Sequence, residues 1–427
     1  MDKKETIPFS TETSAAFESA VARMMEALGS AVELLGFGEA LHGTEEILQI
    51  RNRLFQTLVK SHGFSAIAIE SSFPQARDVN EYVLGLVPAE EESVKTWFRR
   101  GFGLLEANQE LVAWMRAYNA DAAHTTKLRF YGFDIPLGEY AYASPRVVLL
   151  TPLNLLQSVE TPHIEERKNR IFEMIGADAE WENAKAISDP SLSIGQSPRA
   201  VSLRIETEEL ISELRIRAPE LIGRRGRNEY YTALHDAITA RQLLNNHAAQ
   251  ARGGSYEQQL GIRDVVMADN LEYLVAHERS RGKVLAYAHN GHLKRGQMQW
   301  QMGEQNLSWW TAGEQITERM GNRYAVIGSG VGSSEDNGIA QPEKETLEAR
   351  LIATSGEARF IPTRRGEGID QVEIGNLPVR SGSAKNATYF PLSKACFTEY
   401  DGLFVVNTTA YNRGGPPLQA WTGTSAS

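Results

Sequence analysis

The chain has 427 residues, 42% hydrophobic and 23% charged, the balance of a folded globular protein with length enough for two or three domains. A formal net charge of −10 argues against a nucleic-acid footprint, which would be basic. The single cysteine, Cys396, excludes an intramolecular disulfide.

Met1 to Thr6 lead into no apolar signal region, and no stretch reaches the roughly 20 apolar residues of a membrane helix. The short basic run Arg224-Arg225-Gly226-Arg227 reads as solvated surface. The expectation is a cytoplasmic protein acting on a small molecule, without nucleic-acid or membrane partners, its oligomeric state left open.

In chain order, Ser14 to Leu28 carries apolar residues at helical spacing and stops at Gly29. The apolar run Val32 to Phe37 predicts a buried strand, followed by Gly38-Glu39-Ala40-Leu41-His42-Gly43-Thr44-Glu45-Glu46. Glu46 to His62 is an amphipathic helix closed by Gly63. Phe64 to Ile69 predicts a strand ending at Glu70, and Leu128 to Phe133 one ending at Asp134, with helical pattern between them. From Pro145 to Arg281 the strand signal vanishes, and Ile164–Met174, Val201–Arg217, Tyr230–Ala249 and Ile262–Arg279 read as helices. Strands return at Val284–Ala288, followed by His289-Asn290-Gly291-His292, then at Tyr324–Ile327 and Leu403–Val406. Gly328 to Gly338, rich in glycine and serine, predicts a mobile loop.

The fold expected is α/β, a mostly parallel or mixed central sheet flanked by helices, with a helical insertion walling part of the cleft. Its boundaries are read as 1–144, the first part of the α/β core, 145–281, the insertion, and 282–427, the second part.

Ionisable residues stand at four predicted strand ends: Glu39 with His42, Glu70, Asp134, and His289 with His292. Ligands bind at the carboxyl ends of strands in open α/β sheets. One Asp or Glu there is often a helix cap; four together predict one assembled site. Arg51 and Arg53, on the helix after His42, are candidates to reach back and hold a carboxylate, against the bland reading of solvated helix-face arginines. Glu106 and Asp121 flank a further helix and read as surface by default. Cys396, in apolar company, reads as a packing residue.

Several familiar constellations are missing. There is no Gly-x-Ser-x-Gly elbow, no phosphate-binding Gly-x-x-x-x-Gly-Lys-Ser/Thr loop and no His-Glu-x-x-His zinc helix. Gly328-Ser-Gly-Val-Gly-Ser-Ser does not complete a dinucleotide fingerprint. His42, His289, His292 and a carboxylate form a possible metal set. Without a covalent nucleophile, the simplest chemistry is attack by water, with a carboxylate-positioned histidine as general base and a second imidazole or an arginine stabilising the oxyanion. No cofactor is needed. A metal-dependent hydrolase of another ester or phosphoester, and a non-catalytic small-molecule-binding protein, are the alternatives.

Taken together, Gly38 to Glu46, Ile50-Arg51-Asn52-Arg53-Leu54-Phe55, Ile67-Ala68-Ile69-Glu70, Glu110 to Asn119, Tyr131-Gly132-Phe133-Asp134, Arg263-Asp264-x-x-Met267-Ala268-x-Asn270-Leu271 and Ala288 to His292 resemble the erythromycin esterases. The resemblance spans roughly Leu34 to Val406. It implies metal-independent hydrolysis of a macrolide lactone, with His42 as base and Glu39, Glu70 and His289 as essential partners. It also implies orienting or substrate-binding roles for Arg51, His292, Glu106 and Asp134, and Arg53 stays a candidate for such a role from its place on the helix. Trp300, Trp309 and Trp310 are candidate stacking surface at the cleft mouth.

Overall fold

The computed structural model describes residues 6–10, 13–88, 99–138, 141–302, 305–353, 356–366 and 377–415. Among them, eight strands form one sheet in the order β1-β9-β10-β8-β2-β5-β3-β4. The strands are β1 (Ile7–Phe9), β2 (Leu34–Glu39), β3 (Phe64–Ser72), β4 (Arg129–Asp134), β5 (Lys283–His289), β8 (Tyr324–Ser333), β9 (Ala358–Pro362) and β10 (Gly402–Thr408). Neighbours from β10 to β4 run parallel, while β9 is antiparallel to both β10 and β1. β6 (Gln297–Met302) and β7 (Gln305–Trp310) make a separate antiparallel hairpin.

Helices cover both faces, so the central strands are apolar on both sides. One apolar cluster packs Phe17, Leu54, Phe55 and Met115 on one face. The other packs Met267, Leu271, Phe397 and Tyr400 on the opposite face. The helices Arg146–Ser158, Ile164–Ile175, Pro198–Ile216 and Arg227–Ala251 build a further cluster, including Leu149, Leu203, Leu210 and Leu243. They are tied to the sheet by polar bonds as well as packing. Arg77, just after β3, pairs bidentately with buried Asp236 at 2.7 and 2.5 Å. The helix Tyr256–Glu278 then runs back across the sheet. There Glu278 accepts from Ser65 Oγ (2.9 Å) and from the Tyr131 hydroxyl (2.7 Å).

The expected helices at Ser14–Leu28 and after His42 form, the latter as Glu45–His62. Thr13 caps the first through Ala16 N (3.3 Å), and Gly63 ends the second at φ 72°. The mobile loop expected from Gly328 is not found. Residues 328–333 continue β8 and are buried except for Ser333. Their glycines answer crowding, not mobility. A Cβ would lie 2.7 Å from the Tyr400 ring at Gly328, 2.7 Å from Leu392 at Gly330 and 2.3 Å from Asn407 O at Gly332. A tight turn follows, with Ser334 bridging Ile339.

Candidate active site

Strand register assembles the site. Glu39, the last residue of β2, is paired with His289, the last of β5. β3 lies on the other side of β5, with Ile69 opposite Tyr287, so Glu70 follows directly. β4 then adds Asp134 beyond β3. The carboxyl edge therefore presents Glu39, His289, Glu70 and Asp134 in spatial succession.

A glycine lets the two histidine motifs meet. At Gly38 a Cβ would lie 2.3 Å from Asn290 Oδ1. Asn290 uses that space to mimic a strand edge, donating from Nδ2 to Ser329 O (2.8 Å) and accepting from Ser329 N (3.0 Å). The turn carrying His289 and His292 is thus clamped between β2 and β8.

The three histidines occupy different electrostatic environments. His42 Nδ1 lies 2.5 Å from Glu39 Oε1, whose other oxygen accepts from the Tyr287 hydroxyl (2.6 Å). With the carboxylate accepting a hydrogen bond from Nδ1–H, Nε2 is the basic nitrogen of the neutral ring. Burial lowers the His42 pKa, but Glu39 and Glu70 outweigh it and hold the ring above its ordinary value. The backbone fixes the residue from both sides. His42 N donates to Thr388 Oγ1 (3.0 Å), and Asn386 Nδ2 donates to His42 O (2.8 Å).

His289 is neutral. Its Nδ1 accepts from Gly291 N (3.0 Å), so Nε2 carries the proton and donates it to Thr388 O (2.9 Å). Burial, reinforced by the neighbouring His42, pushes its pKa down to about 3. The rings of His42 and His289 meet edge-on at 5.4 Å, and Phe102 packs against His42 at 5.8 Å.

His292 is a cation. Its Nδ1 lies 2.5 Å from Asp264 Oδ1, and its Nε2 lies 3.4 Å from Glu70 Oε1. Burial opposes the charge, yet the two carboxylates lift the pKa to about 10. Glu70 has firmer partners elsewhere, accepting from Arg263 Nη2 (2.8 Å) and from His289 N (2.9 Å). Burial raises the Glu70 pKa, but His292, His42 and Arg263 together hold it well below the usual range. Arg263 also grips Asp134 through Nε (2.8 Å) and Nη2 (2.6 Å). Asp134 therefore joins the cluster as the second anchor of Arg263. Removing one member of such a buried ionic set strands the other, at a cost of about 3–5 kcal/mol.

Arg51 is 1% exposed and lies over the Tyr287 ring at 4.8 Å, bonded to Asn52 Oδ1 through Nη2 (2.7 Å). With Glu39, Glu70 and Tyr287 it lines a cavity of about 10 Å³, room for roughly one water. Arg53 is not brought there. Two residues on, it faces almost the opposite side of the helix and sits over Phe17 at 4.4 Å. Glu106 also lies outside the cluster, half exposed at a helix start and paired with Arg413 (2.7 Å). Trp309 is buried and donates to Asp264 Oδ2 (2.6 Å), while Trp310 is half exposed. Trp300 reaches the site indirectly, edge-on to Phe390 at 6.2 Å, which in turn packs on His289 at 5.3 Å. Among the described residues, no group of three His, Cys, Asp or Glu is arranged to hold a metal ion.

The erythromycin esterase family model matches residues 59–409. The chain belongs to the erythromycin esterase family. An Escherichia coli erythromycin esterase type II is 24% identical over 300 residues, covering 69% of this chain and 68% of that protein. A succinoglycan biosynthesis protein superposes with a TM-score of 0.72 at 18% identity, covering 96% of both chains. An erythromycin esterase mutant in its open conformation superposes with a TM-score of 0.66 at 16% identity, covering 92% of this chain and 95% of that one. At these identities the structural likeness establishes the fold.

Sequence reasoning missed Arg263 and Asp264 as site residues, along with Tyr287, Asn290 and Thr388, and it placed Trp309 at the cleft mouth, where the structure buries it against Asp264. Tyr287 was within reach, since it shares a face of β5 with His289 two residues on. Thr388 lies in irregular backbone that carries no periodic signal.

Proposed function

We propose that this protein is a carboxylic ester hydrolase that opens the lactone of a macrolide by direct attack of water, without a metal or cofactor. The observation that carries the reading is the His42–Glu39 pair, with Nδ1 committed to the carboxylate, within electrostatic reach of cationic His292. The macrolide as substrate rests on family membership, while the site's residues support attack of water on an ester in general.

His42 Nε2 takes a proton from water as the water oxygen bonds to the lactone carbonyl carbon. Glu39 stabilises the imidazolium that forms, and the Tyr287 hydroxyl holds Glu39 in place. Negative charge grows on the carbonyl oxygen, where a fixed cationic donor is most effective in a buried site. The geometry favours His292 for that task over His289. His289 spends its one N–H on Thr388 O and so orders the loop that holds His42. Arg51 sits behind Tyr287 and supports Glu39 electrostatically. Collapse of the intermediate breaks the ester C–O bond, and the departing alkoxide recovers the proton from His42. The products are a hydroxyl and a carboxylic acid on one opened chain.

The test is to incubate purified protein with macrolides of several ring sizes and read product mass. A gain of one water is expected for at least one ring. Bound drug of unchanged mass would point to a non-catalytic binding protein.

A further inference from the structure

The helix Tyr256–Glu278 delivers two adjacent residues of opposite charge to the site. Arg263 serves the carboxylates Glu70 and Asp134. Asp264, with 0% exposure, serves His292. Both oxygens of Asp264 are engaged: Oδ1 with His292 Nδ1 (2.5 Å) and Oδ2 with Trp309 Nε1 (2.6 Å). Trp309 belongs to β7, in the hairpin that follows His292, so a chain of three side chains links that hairpin to the ionic cluster.

The other edge of His292 is held less firmly. Its Nε2 is 3.4 Å from Glu70 Oε1, beyond the usual N–H···O range of 2.7–3.2 Å. That carboxylate already accepts from Arg263 and His289 N at shorter distances. The ring is therefore anchored on the Asp264 side and loosely opposed on the other. A carbonyl oxygen gaining charge competes well for such an N–H.

We propose that Asp264 is a positioning residue for ester hydrolysis: it fixes His292 as the cationic donor of the site, and Trp309 fixes Asp264. Asp264→Asn keeps the shape but removes the charge that opposes the ring, so His292 is expected to become neutral near pH 7. Trp309→Phe leaves the charge and frees its orientation. This inference rests on the hydrolase reading for its catalytic meaning, but the state of the His292 ring can be read without substrate.

The experiment uses the full chain labelled with nitrogen-15 histidine, the His292 signals being identified by their loss in His292→Asn. In the wild type the ring is expected to stay doubly protonated from pH 6 to about 9. In Asp264→Asn it is expected to be neutral at pH 7, with kcat falling about 10²-fold, the scale of one lost charged donor. KM should change little, and the alkaline limit of kcat should move toward neutral pH. Asp264→Glu should recover part of the rate, and Trp309→Phe should lose several-fold with its ring still charged. An Asp264→Asn protein whose His292 ring keeps the wild-type signature overturns the assignment, as does a rate loss with an unmoved pH profile. Trp309→Phe indistinguishable from wild type removes the hairpin from the chain. Absence of esterase activity in the wild type would sink the hydrolase reading alone, leaving the ring titration to decide the role of Asp264.

Discussion

His42 Nδ1 and Glu39 Oε1 lie 2.5 Å apart, joining the end of β2 to the turn that follows it. To act as the proposed base His42 must be neutral imidazole, and Glu39 stabilises the charged form. His42 is held above its ordinary value of 6.5, so kcat/KM is expected to rise with pH through a midpoint above 6.5. Glu39→Gln should lower that midpoint and reduce kcat by about 10²-fold or more. A pH–rate profile whose acid limb stays in place in Glu39→Gln would separate Glu39 from the base.

His292 gives a signature in stability. Its folded pKa is raised to about 10 from 6.5, so its contribution is complete below pH 6.5 and lost as pH rises through 10. The wild-type Tm should therefore fall across that window. His292→Gln should start lower and fall less. Parallel curves for the two proteins, followed by thermal denaturation, would mean that the ring is not charged in the fold.

Gly38 tests the clamp between the two histidine motifs. A Cβ there meets Asn290 Oδ1 at 2.3 Å, and Asn290 cannot retreat without leaving Ser329. Gly38→Ala should cost about 1–3 kcal/mol in denaturant melts. It should also lower kcat, because the turn bearing His289 and His292 is displaced. An unchanged melt would show that the turn yields cheaply.

Metal dependence is tested by extended chelation, after which turnover is expected to persist. His289 has both ring nitrogens engaged, and Nδ1 of His42 and of His292 each face a carboxylate. Loss of activity with recovery by one specific metal would instead favour a metal centre built from these histidines and a carboxylate.

The ends of the central strands were legible because doubly covered parallel strands are apolar throughout, so the first ionisable residue marks the edge. That logic found Glu39, Glu70, Asp134 and His289 without any knowledge of strand order. It failed where charge is unremarkable. Arg263 and Asp264 sit on a long helix, where charged residues are ordinary, and only packing against β4 and β7 reveals their direction. Arg51 and Arg53 looked alike in sequence, yet about half a helical turn sends one onto Tyr287 and the other onto Phe17. The glycines of β8 misled for the opposite reason: loop-like composition was required by the close approach of Tyr400, Leu392 and Asn407. The short strand β1 at the sheet edge, its neighbour β9 and the hairpin gave too few residues of clear alternation to stand out.

On the proposed mechanism His42 activates water for direct attack. The decisive experiment is a single turnover of a macrolide substrate in heavy-oxygen water, followed by mass spectrometry of the opened acid. One heavy oxygen is expected in the new carboxylate from the first turnover, and no reaction in a folded His42→Ala protein. A first-turnover product carrying only light oxygen, with the label appearing later, would reveal a protein carboxylate as nucleophile. That result, or an active His42→Ala enzyme, would rule out direct attack by water activated at His42.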